Sequence, residues 1–443
     1  MRRFILKTVL ALSGKNIFKR YKYLKKREFI SVKENKEYQE EKLKKLLTHA
    51  YNNVPYYHKV LAEVKVIEYG KVNLKNFDKI PILTKDIIRK EGSNLYSRDH
   101  KKRKSYENTS GGSTGEPVKF LQDKDTWTEG MAIKWLFYSF ICDYPCKLVK
   151  LWGSERDILK GSYGIKGSLK NKISQRKLLN AFKMSEENMK SYVNKINSFK
   201  PKIIEAYVES IYEFSKFIKK NDIKIFYPKG IITSAGTLYP EMKELIEEVF
   251  HCKVYNRYGS REVGDMACTC EENKMHINIF DNLLELLDKD LNPIKTGKTG
   301  DVYITTLNNF SMPLIRYKIG DIGKIAFIKK CKCGRGMPVI KGISGRNNSI
   351  LKTKKGSLDG TALTTSFYFL SSIEKYKLIQ KTMDKFTLMV IINNKKKWKE
   401  DKKVIEKKFR QILGNEINVN FKIVNKIPSL KNGKYQYIIS EVI

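Results

Sequence analysis

Thr109-Ser110-Gly111-Gly112-Ser113-Thr114-Gly115-Glu116-Pro117 is the least ordinary stretch of this 443-residue sequence, and the fold turns on how it is read. From Ser110 to Gly115 every position is a glycine or carries a hydroxyl. Backbone N–H groups and hydroxyls in such a run can wrap phosphate oxygens without steric obstruction. The stretch lacks the Gly-Lys-Ser/Thr ending of a Walker loop and the spacing of G-x-G-x-x-G, so neither of those phosphate motifs fits. Taken alone, a flexible linker accounts for it as well as a phosphate cradle does, and its surroundings have to decide.

Upstream, Leu43, Leu46, Leu47, Ala50 and Tyr51 recur at helical spacing within 36–65, and the pattern breaks at Asn53 to Pro55. Ile80-Pro81-Ile82-Leu83-Thr84-Lys85-Asp86-Ile87 reads as a turn into a Thr-capped helix, and the charge run Arg98 to Lys104 as an exposed loop. Downstream, from 126 to 220, long helical patterns alternate with short apolar runs, Lys147 to Leu151 and Ile203 to Tyr207. That is the rhythm of an α/β sheet. Gly230 to Thr233 opens into Ser234-Ala235-Gly236 and a helix from Pro240 to Phe250, and the strand Val254-Tyr255 leads into Asn256-Arg257-Tyr258-Gly259-Ser260-Arg261-Glu262. From 276 to 345, short alternating strands with turns at Asp290 to Pro293 and Gly297 to Gly300 predict an antiparallel, barrel-like addition. A hinge-like Ser344 to Asn348 then precedes a separate α+β unit. The expected division is a basic extension (1–35), a large domain (36–344) and a small C-terminal domain (345–443).

A chain this long exceeds one ordinary core, and a 41% hydrophobic composition can fill two or more. It has no run of eighteen uncharged apolar residues, so no membrane-spanning helix is expected. Met1 to Arg20 interleaves Phe4, Ile5, Leu6, Val9 and Leu10 with Arg2, Arg3 and Lys7 and has no clean small-residue cleavage site. This reads as an amphipathic segment allowing at most peripheral membrane association, rather than as a secretory signal. A formal charge of +40 would draw polyanions, but the lysines are scattered over the whole chain and a solvated lysine-rich surface accounts for them. Seven cysteines, with two Cys-x-Cys pairs among them, suit a reducing compartment and metal binding better than a disulfide framework, and the expected location is the cytoplasm.

Further segments stand in a fixed order around the loop: Pro55-Tyr56-Tyr57 and Pro81 to Lys85 before it, then Tyr258 to Glu262, Tyr317-Lys318-Ile319-Gly320-Asp321, Gly345-Arg346 and Gly433-Lys434 after it. With these, nearly everything from about residue 40 onward resembles the phenylacetate–CoA ligase-like branch of the adenylate-forming superfamily, which includes members linked to capsule polysaccharide synthesis. In that family a [ST]-S-G-[ST]-T-G-x-P loop cradles the ATP phosphates; Thr109 to Pro117 match it, with Gly112 as a departure. The resemblance implies an α/β adenylate-forming enzyme fold: a large N-terminal domain with β-sheets, helices and a barrel-like part, and a small, mobile α+β C-terminal domain.

Roles follow from the resemblance at the matching positions. Thr109, Ser110, Gly111, Gly112, Ser113, Thr114 and Gly115 would meet the ATP phosphates, and Ser234, Ala235, Gly236, Asn256, Arg257, Tyr258, Gly259 and Ser260 would surround the AMP moiety. Asp321 would accept hydrogen bonds from the ribose hydroxyls, and Arg346 would contact ribose or phosphate. Attack of a carboxylate on the α-phosphate needs charge neutralisation and in-line placement more than an acid or base. Glu262, a hard anionic oxygen donor, would therefore hold Mg²⁺, and Lys434, a compact ammonium on a flexible stem, would reach the α-phosphate as charge builds. Two positions after Arg346, where much of the superfamily has an Asp hinge, the residue is Asn348, which leaves the hinge residue open.

Cys268, Cys270 and His276 precede Cys331-Lys332-Cys333, and four such ligands in two short clusters suit tetrahedral Zn²⁺. The resemblance favours Cys270, His276, Cys331 and Cys333, with Cys268 as a spare or competing ligand, and a closed four-ligand site implies a structural role. Cys142 and Cys146 read as core residues; Trp135, Tyr138, Trp152 and Tyr207 read as an acid pocket or as aromatic packing. The expected activity is ATP-dependent conversion of a carboxylic acid to acyl-AMP, then transfer to coenzyme A or to another acceptor thiol or amine. Surface-polysaccharide synthesis without coenzyme A is the alternative. A rival class, a basic nucleic-acid or membrane-surface binder with a zinc knuckle, explains charge and cysteines but not the ordered motifs. No specific nucleic-acid partner is expected, and the oligomeric state, a homodimer included, is left open.

Overall fold

The computed structural model describes residues 16–110, 118–152, 174–181, 183–325, 330–346, 350–353, 356–359, 363, 367, 370, 372–427 and 437–442. Its centre is an eleven-stranded sheet with a parallel and an antiparallel half. Strands β3 (Leu148–Trp152), β4 (Arg176–Asn180), β5 (Ile203–Tyr207), β6 (Gly230–Ser234) and β7 (Lys253–Ser260) are parallel, in the order β4-β3-β5-β6-β7. From β7 the sheet continues antiparallel through β8 (Gly264–Thr269), β9 (Met275–Ile277), β13 (Val339–Arg346), β12 (Tyr317–Ile325), β11 (Thr299–Thr306) and β10 (Asn282–Leu287). A separate hairpin, β1 (Tyr106–Thr109) with β2 (Lys119–Gln122), carries the glycine and hydroxyl loop.

The parallel strands are covered on both faces, which is why they are nearly continuous apolar runs. On one face Val149, Leu151, Ile204, Ala206, Ile231 and Val254 pack against α6 (Glu186–Phe199), α7 (Val208–Lys220) and α8 (Pro240–Phe250). Phe214 and Phe250 are fully buried there, each contributing about 1.5–3 kcal/mol by leaving water. On the other face Leu148, Ile203, Ile232 and Tyr255 meet α5 (Lys124–Tyr138), itself backed by α1 (Ile17–Arg27). Local signals set the ends of these elements. Ser185 caps α6 by accepting from the Asn188 amide, while α8 starts at Pro240 and stops at a left-handed His251.

The antiparallel half packs against α2 (Val32–Asn53), α3 (Pro55–Glu63) and α4 (Lys85–Glu91). The helical pattern of 36–65 is two helices, because Val54 is extended before Pro55 at the first helical position. Thr84 caps α4 through the Ile87 amide, as its spacing predicts. Beyond the large sheet, β14 (Ile373–Gln380), β15 (Lys385–Ile392), β16 (Asn418–Ile423) and β17 (Ile438–Ser440) form a four-stranded sheet with α9 (Lys395–Leu413). Its core includes Trp398, Ile405 and Phe409, and it packs on Val208, Tyr239 and Met242 beside the ends of β5 and β6. Among the described residues no helix is long and apolar enough to cross a membrane.

Candidate functional site

Three distant segments meet where the parallel strands end. Hairpin β1–β2 closes at Ser110, whose amide donates to the Val118 carbonyl at 2.9 Å and whose hydroxyl accepts from the Val118 amide at 2.8 Å. Thr109 pairs with Lys119 in this stem, and Gly111 to Gly115 lie outside the described residues. Gln122, at the stem's far end, donates through Nε2 to the carbonyls of Arg261 (3.0 Å) and Glu262 (3.5 Å). That amide ties the loop's stem to the turn bearing Glu262. Glu262 is half-buried, and among the described residues no ion pair occupies its carboxylate.

The third segment arrives through β12. The Tyr258 hydroxyl donates to Asp321 Oδ2 at 2.6 Å, joining motifs 63 residues apart. Gly320 beside it has φ +88°, a conformation that favours glycine, and Asp321 pairs across the ladder with Arg346, whose side chain lies outside the described residues. At the end of β6, Ser234 is buried and Ala235 holds φ +68°, a left-handed conformation that costs a non-glycine residue energy and is met mostly at functional positions. A Cβ at Gly236 would press on the Glu209 carboxylate, which would have to swing aside, whereas one at Gly259 would stand 2.8 Å from the Gly264 carbonyl, so Gly259 needs glycine. The Asn256 amide donates to Thr269 Oγ1 at 2.7 Å, and the Ser260 hydroxyl is buried with no partner among the described residues.

Strand β7 runs on into the motif as far as Ser260, and its residues alternate between two environments. Arg257 is buried on the α5 face, with Nη2 2.6 Å from Glu205 Oε1 and Nε 3.3 Å from Asp265. Tyr138 donates to Glu205 at 2.7 Å, and Lys150 and Lys134 stand 3.7 and 4.0 Å from it. Burial alone would raise the Glu205 carboxyl, but Lys150, Arg257 and Lys134 hold it well below its ordinary value. Arg257 thus sits apart from the Tyr258–Asp321 edge. Trp152 and Tyr207 meet in a tilted pair with ring centroids 4.0 Å apart at the strand ends, whereas Trp135 and Tyr138 lie on α5 and are buried in the core. Lys434 and Asn348 lie outside the described residues.

A second cluster forms at the other end of β8. Cys270, His276, Cys331 and Cys333 bring their ligand atoms within 4.8 Å of one another. Cys270 and Cys331 sulfurs are 3.8 Å apart, and Cys333 Sγ is 3.3 Å from His276 Nε2. A tetrahedron with metal–sulfur bonds of about 2.3 Å has sulfur–sulfur edges of about 3.8 Å, so this donor set fits zinc without rearrangement. His276 Nδ1 faces the Met337 carbonyl at 2.9 Å, which leaves Nε2 to act as a ligand. Cys268 is fully buried but outside the cluster, and Cys142 and Cys146 stand 3.5 Å apart in the core. Six strand steps separate Gly264 from Cys270, roughly 20 Å at the usual rise, so the cluster is remote from Glu262.

Comparison with known proteins bears on this geometry. A family described as the CapK C-terminal domain matches residues 350–441. The chain is 27% identical to Protein CapK of Staphylococcus aureus over 92% of its own length and 89% of the relative's. It is 24% identical to a phenylacetate-coenzyme A ligase of Thermus thermophilus, over 71% of this chain and 70% of that one. In these matches the chain resembles the CapK and phenylacetate–CoA ligase-like branch of the adenylate-forming superfamily. It is an enzyme of the adenylate-forming ligase type. The superfamily fold is also that of 2-hydroxyisobutyryl-CoA ligase in its postadenylation state, with a TM-score of 0.75 at 18% identity over 94% of this chain and 91% of that one.

Sequence reasoning missed Gln122, Glu205 and Glu209. Glu205 alone carried a signal, a carboxylate inside the apolar strand Ile203 to Tyr207, where a charge persists only if paired. Gln122 has no motif, and Glu209 becomes visible only when Gly236 is seen against it.

Proposed function

We propose that this chain couples ATP to a carboxylic acid as acyl-AMP with release of pyrophosphate, and then passes the acyl group to coenzyme A or another thiol or amine. The observation that carries the reading is the Tyr258–Asp321 hydrogen bond beside the Gln122 link to Arg261 and Glu262. Together they converge the phosphate-loop stem, the Tyr-Gly-Ser-Arg-Glu turn and the β12 aspartate on one edge of the sheet. Ligands outside the carboxyl ends of parallel strands are the general expectation for such sheets.

In this reading Thr109 to Gly115 hold the β- and γ-phosphates. Ser234, Ala235, Gly236, Asn256 and Tyr258 bound the base, with Arg257 fixing β7 from the opposite face through Glu205. Asp321, oriented by Tyr258, takes the ribose hydroxyls, and Arg346 assists. The Ser260 hydroxyl, buried and with no partner among the described residues, is a donor for a bound nucleotide. Glu262 would hold Mg²⁺, which neutralises phosphate charge. Lys434, from the small domain at 345–443, would stabilise the charge developing at the α-phosphate. Zn²⁺ at Cys270, His276, Cys331 and Cys333 would brace the sheet, with Cys268 excluded.

The identity of the acceptor divides two forms of this function. One is a surface-polysaccharide acceptor without coenzyme A; the other is the thiol, which the phenylacetate-coenzyme A ligase relatives favour. Exchange of labelled pyrophosphate into ATP, measured across a panel of carboxylic acids, tests the first half-reaction. No exchange with any acid removes the proposal. AMP release that depends on added coenzyme A selects the thiol.

A further inference from the structure

Helix α1 carries two stripes with opposite properties. Ile17, Tyr21 and Leu24, at spacings of four and three, are buried against α5, where Tyr21 and Trp135 meet edge to face at 5.9 Å. Lys19, Lys22, Tyr23 and Lys26 follow i, i+3, i+4, i+7 and are all exposed on the outer side. Just beyond the helix, Phe29 is 53% exposed, and Tyr23 is 41% exposed among the three lysines. Tyr23 lies beside Tyr38, Arg20 and Arg27, and Phe29 beside Lys25 and Arg335, yet these contacts leave about half of each ring in water among cations.

The surface is rigidly mounted. Arg20 pairs with Glu129 through two contacts of 2.6 Å, which spends its charge inside the protein. Glu28, the one acid of the Ile17–Val32 segment, is fully buried and paired with Arg335 at 3.1 Å and Lys25 at 2.5 Å. The Gly336 amide donates to the Glu28 carbonyl at 2.8 Å, and the Asn35 amide donates to the Gly336 carbonyl at 2.8 Å. Three solvated lysines with no opposing carboxylate on their stripe, two solvated rings and a fixed backbone are therefore presented together.

We infer that the outer face of α1, with Phe29, is a docking surface for an anionic phospholipid membrane. Lysines near such a surface gain from its negative potential, and Tyr or Phe at headgroup depth supplies the short-range, apolar part that a free polyanion does not need. This is why a lipid surface fits better than nucleic acid: among the described residues no groove or stacking platform accompanies the charge, and both rings keep about half of their surface in water. The chain then works at a membrane face, whatever acid it activates.

The test is flotation of the intact chain with vesicles of phosphatidylcholine alone and of phosphatidylcholine mixed with phosphatidylglycerol. Binding is expected to the mixed vesicles only and to fall as salt rises. Changing Lys19, Lys22 and Lys26 to Glu lowers partitioning by on the order of a hundredfold, given about 1 kcal/mol per basic residue at the surface. The same charge change at Lys396, Lys399 and Lys403 on α9, also exposed, serves as the control for net charge. Tyr23→Ser with Phe29→Ser must weaken membrane binding while leaving heparin binding unchanged. Equal losses from the two lysine triples, no effect of the aromatic changes, or no binding to the mixed vesicles each overturns the inference. Thermal melts of every variant separate lost docking from lost folding.

Discussion

Arg257 and Tyr258 are neighbours in β7, yet they face different worlds. The Arg257 side is closed: the guanidinium is buried against Glu205 and Asp265, and Tyr138, Lys134 and Lys150 complete the shell. The Tyr258 side is open: its hydroxyl meets a half-buried Asp321, and the nearby Glu262 carboxylate has no ion-pair partner among the described residues. Strand alternation lets one segment both hold the sheet and receive a ligand. A residue on the closed side should therefore move stability first, and a residue on the open side activity first.

The sharpest way to break this contrast is Glu205→Gln. Removing one partner of a buried ion pair leaves the other charge uncompensated, at a cost of about 3–5 kcal/mol. Urea unfolding should show that loss. Because the folded state holds the Glu205 carboxyl below its ordinary value, its stabilisation is complete above pH about 4.3 and fades as pH falls further. The variant should lose this acid sensitivity, so its stability profile flattens at low pH. An unchanged midpoint would mean that Arg257 needs no partner and that the closed side is not a support.

Next in size is Lys434→Ala, on a residue whose role comes from the proposed function. Loss of one charge-stabilising group at a reacting phosphate lowers rates by roughly 10²–10³-fold. Pyrophosphate exchange should fall by that factor with the urea midpoint unmoved. A midpoint shift comparable to that of Glu205→Gln would make Lys434 a structural lysine.

How much of this was legible in sequence depends on the range of the cause. The α4 cap at Thr84, the limits of α8 and the strand Ile203 to Tyr207 are written in adjacent residues and stand as read. The opposite facing of Arg257 and Tyr258 is implicit in strand periodicity, but the motif reads as a block after a two-residue strand, and Glu205 lies 52 residues away. Likewise Cys268 and Cys270 are equivalent by spacing. The turn in which the Cys270 amide donates to the Lys274 carbonyl at 2.9 Å carries Cys270 on toward Cys331.

The cysteine cluster is a third region, closed like the Arg257 side but remote from the Tyr258–Asp321 edge. Cys331→Ser should remove bound zinc, read by metal analysis, and lower the Tm by roughly 5–10 °C, since a few kcal/mol shift a domain of this size by about that much. Exchange activity per folded molecule should stay the same. If activity falls with zinc while the Tm holds, the metal belongs to the chemistry.

Tyr258→Phe should have the smallest effect and probes the open side most directly. The substitution keeps the ring, with its packing, and removes only the hydroxyl that donates to Asp321 at 2.6 Å. A single hydrogen bond is worth about 0.5–1.5 kcal/mol net, so an aspartate freed to rotate should weaken ATP binding by roughly two- to tenfold. The loss should appear in KM for ATP, with kcat nearly constant, because in the proposed function the bond orients a ribose contact that is equally present before and during reaction. The urea midpoint should stay with the parent's. If it drops instead, the hydroxyl is bracing β7 against β12, and the two faces of the strand do the same work.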